Sequence, residues 1–166
     1  MMNAANLHLA IVHLPLSALL GAVVLLLCAR AWGEERAFRL ALLAIVAGAL
    51  AAAMAYYTGP SAHQILIDAG FNTGDTQNVV ETHALWGRVS FVVLGLCGAL
   101  AFQAWLQHYQ GERPAAWQRW TLLIAGAAML GVQAWTSHLG GQVRHTEIRG
   151  ALQGAMPPAA CPQQHA

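Results

Sequence analysis

Four apolar runs, about residues 7–32, 38–57, 83–106 and 117–139, constrain this chain more than any other feature. A helix rises about 1.5 Å per residue, so about 20 residues cross the roughly 30 Å hydrocarbon core of a bilayer. Each run meets that length. Only 9% of the residues are charged and 57% are hydrophobic, against about 25% charged in an ordinary soluble domain. The sequence predicts an all-α integral membrane protein, an antiparallel four-helix bundle occupying residues 1–150, with a poorly ordered tail over 151–166. Little chain is left for a separate soluble domain.

Arginine placement predicts the orientation. The chain has eight arginines, no lysine and a formal net charge of +1, which gives no basic patch for nucleic acid. Arg30, Arg36 and Arg39 flank the first connection, and Arg113 and Arg119 flank the third. The positive-inside rule puts both connections in the cytoplasm. Both termini and the segment between the second and third runs then face outward, to the periplasm if the membrane is a Gram-negative inner membrane. The N-terminus has no positive n-region and no cleavage site, so the first run is expected to be retained. Cys28, Cys97 and Cys161 fall at three different depths, which argues against a disulfide framework.

Aromatic residues mark the same boundaries. Trp32, Trp105, Trp117 and Trp120 lie at the expected inner interface, and Tyr56, Tyr57, Trp86 and Trp135 at the outer one. Gly33, Gly59-Pro60, Gly111 with Pro114, and Gly140-Gly141 are read as helix stops. Short connections then give an up-down bundle. Ala41, Ala44, Gly48, Ala52 and Ala55 form a small-residue stripe on the second helix, and Ala127, Gly131, Ala134 and His138 another on the fourth. Such stripes allow close helix approach or leave a slot for a flat ligand. The segment from Ser61 to Thr82 is expected to be a loop holding a short interfacial helix ended by Gly70.

Six of the eight histidines gather at the outer end of the runs: His8, His13, His63, His83, His138 and His145. Imidazole is costly in hydrocarbon and is a common ligand for metals and haem. For any one of them, an interfacial ring bonded to a carbonyl or water is the commoner situation; the clustering is what points to a shared site. In an up-down bundle the first and third helices are parallel diagonal neighbours, which would set His13 opposite His83 as ligands of a haem iron. Ser17 and Gly87, one turn deeper, would make room for the ring edge. His63 and His138 form the other diagonal pair and a candidate second site. His8, five residues before His13, lies on another face of the helix and is expected at the interface, a further metal-ligand candidate. His108, at the inner end, reads as a snorkelling residue, and Cys161 with His165 in the tail as a frayed terminus.

Arg88 is the one arginine well inside a run, where a charge needs a partner. Glu81, haem propionates or lipid headgroups would serve, so Arg88 joins the cofactor-binding candidates. Met54 and Met129 are possible soft ligands, although buried methionine is usually core filler. No Ser-His-Asp order, phosphate-binding glycine loop or intramembrane carboxylate pair is present, so no catalytic residue is assigned.

The segments LHLAIVHLPLSALLGA, Thr58-Gly59, ETHALWG and SHLGGQV, spread between Leu7 and Val143, resemble a bacterial family of four-helix predicted membrane proteins. That family is catalogued as a domain of unknown function and is sometimes joined to Rieske-type iron–sulfur domains. His8, His13, His83 and His138 with Gly140-Gly141 match its polar signature, although the family pattern usually has proline after the first histidine, where this chain has Leu9. The resemblance implies redox work near quinone.

The expected function is therefore that of a b-type cytochrome-like electron-transfer or anchor subunit. It would hold one or two haem b groups near the periplasmic face and link a redox partner or partner subunit to the quinone pool. The rivals are an outer-facing copper, iron or zinc site and a cofactor-free structural subunit.

Overall fold

The computed structural model describes residues 4–70 and 74–145. They form five helices: α1 (Ala4–Ile11), α2 (Leu14–Trp32), α3 (Glu35–Asp68), α4 (Gly74–Tyr109) and α5 (Ala116–Arg144), with no strand among the described residues. α1 and α2 are one interrupted rod. Pro15 has no N–H to offer the Ile11 carbonyl, and the chain turns at Val12 and His13 before the helix resumes. The four rods are long and apolar enough to cross a membrane, as expected of an all-α, multi-pass four-helix bundle. Consecutive rods pack on one another, α5 closes the ring against α2, and α1 lies on the far half of α3.

The helices outrun the spans expected from sequence. Gly59-Pro60 does not end the second: α3 carries Pro60 inside it and continues to Asp68. One missing N–H costs one backbone bond, and a helix already held by its neighbours continues past it. Gly140-Gly141 does not stop the fourth either, since α5 runs on to Arg144. The expected loop from Ser61 to Thr82 is mostly helix, and Gly70, at φ 83°, is the stop. At about 1.5 Å per residue, α3 and α4 are each about 50 Å long, so both extend well beyond a hydrocarbon core of about 30 Å. Phe71, Asn72 and the tail with Cys161 and His165 lie outside the described residues.

Chemistry changes along the bundle axis. At the end where Arg30, Arg119 and Trp120 sit (the arginine end) and through the middle, the interior is apolar apart from the buried Gln107 Oε1 and from Gln118, whose Oε1 accepts from the Ala115 N–H at the start of α5. Leu26, Phe38, Leu42, Ile45, Ala101 and Leu122 form one buried cluster, and Leu19, Ala52, Leu94 and Met129 the next layer. Toward the opposite, histidine end the buried residues become polar: Ser90, Gln133, Thr136 and Gln142. Buried polar groups cost free energy unless they are bonded, so such a change in one half of a membrane core marks function more often than packing.

Candidate functional site

Helical phase decides which histidines face this polar half. The buried stripe of α4 passes through Ser90, Leu94, Cys97, Ala101 and Ala104, and stepping back seven residues from Ser90 reaches His83 on the same face. On α5 the buried stripe passes through Gln118, Leu122, Met129, Gln133 and Thr136. On the first rod it passes through Ile11, Pro15, Leu19, Ala22 and Leu26, and the residue in phase with it is His8.

His83 reaches across to α5, where its Nδ1 lies 3.0 Å from the Thr136 carbonyl oxygen. A carbonyl only accepts, so Nδ1 carries the proton and donates, and Nε2 is left with a free lone pair. Gly140 makes this approach possible, since a Cβ there would stand 3.1 Å from His83 Cε1. His8 reaches across to α3, with Nδ1 3.0 Å from Thr58 Oγ1. The Thr58 hydroxyl already donates to the Met54 carbonyl at 2.9 Å, so it accepts from the ring. With the Thr58 proton on a backbone carbonyl, His8 Nδ1 is the donor and Nε2 the unprotonated nitrogen. The ring passes over Gly59, where a Cβ would lie 3.7 Å from Cε1. The two imidazoles come from opposite corners of the bundle, His8 from the α1–α3 side and His83 from the α4–α5 side.

The sequence-predicted partner of His83 was His13, and the structure places it elsewhere. His13 sits at the break between α1 and α2 and is exposed. Two residues before buried Pro15, it points about 200° away from the buried stripe of α2. His8 takes the inward position. His138 is likewise exposed, two residues past buried Thr136, and its Nε2 accepts from the Gln142 amide at 2.9 Å. His63 is half-buried in the last third of α3. No hydrogen bond or ring contact joins His63 to His138 among the described residues. The stripe of Ala127, Gly131 and Ala134 that was to lead into His138 faces outward, whereas the α3 stripe of Ala41, Gly48 and Ala52 is buried as expected. Arg88 is exposed, and Glu81 accepts from Gln77 at 2.9 Å. Met129 is core and Met54 is exposed. His145 follows α5 as its capping residue, and His108 lies in the last turn of α4.

Sequence reasoning missed Thr136 and Gln133, and it used Thr58 only as part of a short motif. A polar residue recurring in phase with Leu122 and Met129 was the available signal. No group of three or more His, Cys, Asp or Glu side chains gathers among the described residues. Ser90, two turns below His83 on the same stripe, has a buried hydroxyl with no hydrogen-bond partner.

The two flanking glycines should respond differently to a methyl group. Gly140→Ala requires the His83 ring to give by a few tenths of an ångström, which stretches its bond to the Thr136 carbonyl, and is expected to cost about 1 kcal/mol through overpacking. Gly59→Ala places its Cβ at ordinary contact distance and is expected to be neutral or slightly stabilising, since alanine is the better helix former. Thermal unfolding of both variants in detergent reads the contrast. Equal losses would mean that Gly140 is not what lets the ring approach.

Comparison with protein-family models, curated proteins and solved structures returns no match. The class defined by the fold is a multi-pass four-helix membrane bundle, with two histidines, His8 and His83, each bonded to a neighbouring helix at one end.

Proposed function

We propose that the histidine end holds a single b-type haem between His8 of α1 and His83 of α4, and that the protein passes electrons between a redox partner at that face and the quinone pool. The observation that carries this is the matched tautomer of the two rings. Each Nδ1 lies 3.0 Å from an oxygen of a neighbouring helix, and with the proton on Nδ1 each Nε2 lone pair would serve a ligand. Metal-bound histidines are as a rule oriented in this way, the far N–H held by a carbonyl or another acceptor.

Ligand number favours haem over a lone metal ion. A protein site for zinc or copper usually draws three or four side chains, whereas a haem macrocycle supplies four nitrogens and asks two of the protein. The two rings at this end, with no third ligand gathered beside them among the described residues, fit the second case. The buried Ser90 hydroxyl and the open space over Gly87 offer a polar group and room below His83. When bound, the haem supplies one-electron redox chemistry. His8 and His83 would hold it, and Thr58 and the Thr136 carbonyl would set the basicity of the rings and through it the potential.

Orientation follows from charge. Arg30, Arg36, Arg39, Arg113 and Arg119 crowd the opposite end, which by the positive-inside rule faces the cytoplasm of a bacterial inner membrane. The haem then lies on the periplasmic side. The resemblance to a family joined to Rieske-type domains supports a membrane anchor in a larger oxidoreductase. Arg88, on the same helix as His83, is available to the propionates.

A reduced-minus-oxidised spectrum of the purified chain tests this. A Soret band and an α band with one haem per chain is the expected result. Colourless protein with stoichiometric copper, iron or zinc would transfer the site to metal handling. Colourless, metal-free protein would leave a structural subunit.

A further inference from the structure

We propose that the arginine end carries a binding site for the phosphate of an anionic lipid headgroup, formed by Arg30 of α2 and Arg119 of α5. A cavity of about 280 Å³ lies here between α2, α3 and α5, close to the lower limit of about 300 Å³ for ligand pockets. Buried Leu26 and Phe38, with Leu123, make its apolar floor, and Arg30, Arg119 and Trp120 its rim. Both guanidiniums are held over aromatic faces. Arg119 lies 4.1 Å from the centroid of Phe38, and Arg30 lies 5.6 Å from that of Trp120.

Neither arginine is fully engaged. Arg119 spends one nitrogen, Nη2, on Glu35, at 3.1 and 3.2 Å from its two oxygens, and keeps its other donors. Arg30 has no carboxylate within ion-pair distance among the described residues. Two guanidiniums against one carboxylate leave the cavity net positive. Guanidinium donors match phosphate oxygens in pairs, and basic pockets between transmembrane helices are where anionic headgroups are held.

A lipid, rather than a soluble phosphate, suits the floor and the surroundings. Leu26, Phe38 and Leu123 give a glycerol and acyl stem an apolar seat. The rim residue Trp120 and its neighbours Trp32 and Trp117 are exposed, as aromatic side chains are at headgroup level. The first turn of α5 opens onto the same cavity through Ala116, which adds a positive helix end.

Native mass spectrometry of the full chain, titrated with phosphatidylglycerol or phosphatidylcholine, tests the site. Phosphatidylglycerol should be retained at concentrations where phosphatidylcholine is lost. Arg30→Gln should weaken that retention about ten-fold, as expected for one charged hydrogen-bonding partner. Glu35→Gln should strengthen it, because Arg119 is released from its internal competitor. Both positions are exposed, so neither variant threatens folding. Equal retention of the two lipids, or indifference to Arg30→Gln, would overturn the site. Displacement of phosphatidylglycerol by millimolar inorganic phosphate, with phosphate binding lost in Arg30→Gln, would overturn its assignment to lipid.

Discussion

With the proposed haem in place, His83→Ala is expected to abolish the reduced α band, His8→Ala to do the same, and His13→Ala to leave the spectrum intact. The contrast is expected because His8 and His83 are the two rings whose Nε2 lone pairs are free and whose Nδ1 protons are anchored, while His13 is exposed at the helix break. At a site that would ask two rings of the protein, loss of either one would be an all-or-none change. Orienting groups act more gently, and their loss typically lowers affinity about 10–100-fold. Thr58→Val should therefore weaken haem retention and shift the potential without erasing the band. Because His83→Ala also loses the bond to the Thr136 carbonyl, His83→Gly with added imidazole is the paired control. Return of the band on adding imidazole separates ligation from folding. Loss of the spectrum in His13→Ala, with His8→Ala unaffected, would sink the His8–His83 pair.

Much of this architecture was legible in the residues, because the cost of burying polar backbone in lipid leaves few arrangements for four long apolar runs. The polar end of the bundle was legible too, from where the histidines fall. What could not be read was helix phase. In a span that is apolar on every side, the usual amphipathic pattern disappears, and Leu20, Val24 and Leu27, which face outward, look no different from Leu19, Val23 and Leu26, which face in. His13 was chosen over His8 for that reason. The same loss of contrast put the outward stripe of Ala127, Gly131 and Ala134 into the interior.

Other features were invisible for a different cause. The acceptor that fixes His83 is a backbone carbonyl, and every residue has one. Only the crossing of α4 over Gly140 brings the Thr136 carbonyl within reach. Gly140-Gly141 was taken for a stop because glycine favours helix ends, yet in α5 Gly140 is a place where a ring meets a helix. Pro60 misled in the same way. Helix stops did follow glycine where the chain needed a left-handed turn, at Gly33 and Gly111 with φ of 68° and 84°.

The largest effect on stability is expected at Gly98, in the apolar half and away from the histidines. A Cβ at Gly98 would stand 2.6 Å from Ala49 Cβ, closer than two carbons can come, so α3 and α4 must separate to admit any side chain. In lipid there is no hydrophobic force to hold helices together against that displacement; close van der Waals packing between small residues does most of the work. Gly98→Ala should cost about 1–3 kcal/mol, the usual range for overpacking. Gly98→Leu should exceed it, because the whole α3–α4 seam and the stacking of Tyr56 on Phe91, with centroids 4.8 Å apart, open with it. Gly95→Ala, three residues away and facing open space, should be neutral or stabilising and controls for helix propensity. Denaturant titration in mixed micelles reads all three. If Gly98→Leu unfolded no more easily than Gly95→Ala, α3 and α4 would have to be farther apart than described. The position of His83, which α4 carries toward the histidine end against α5, would then need revision with it.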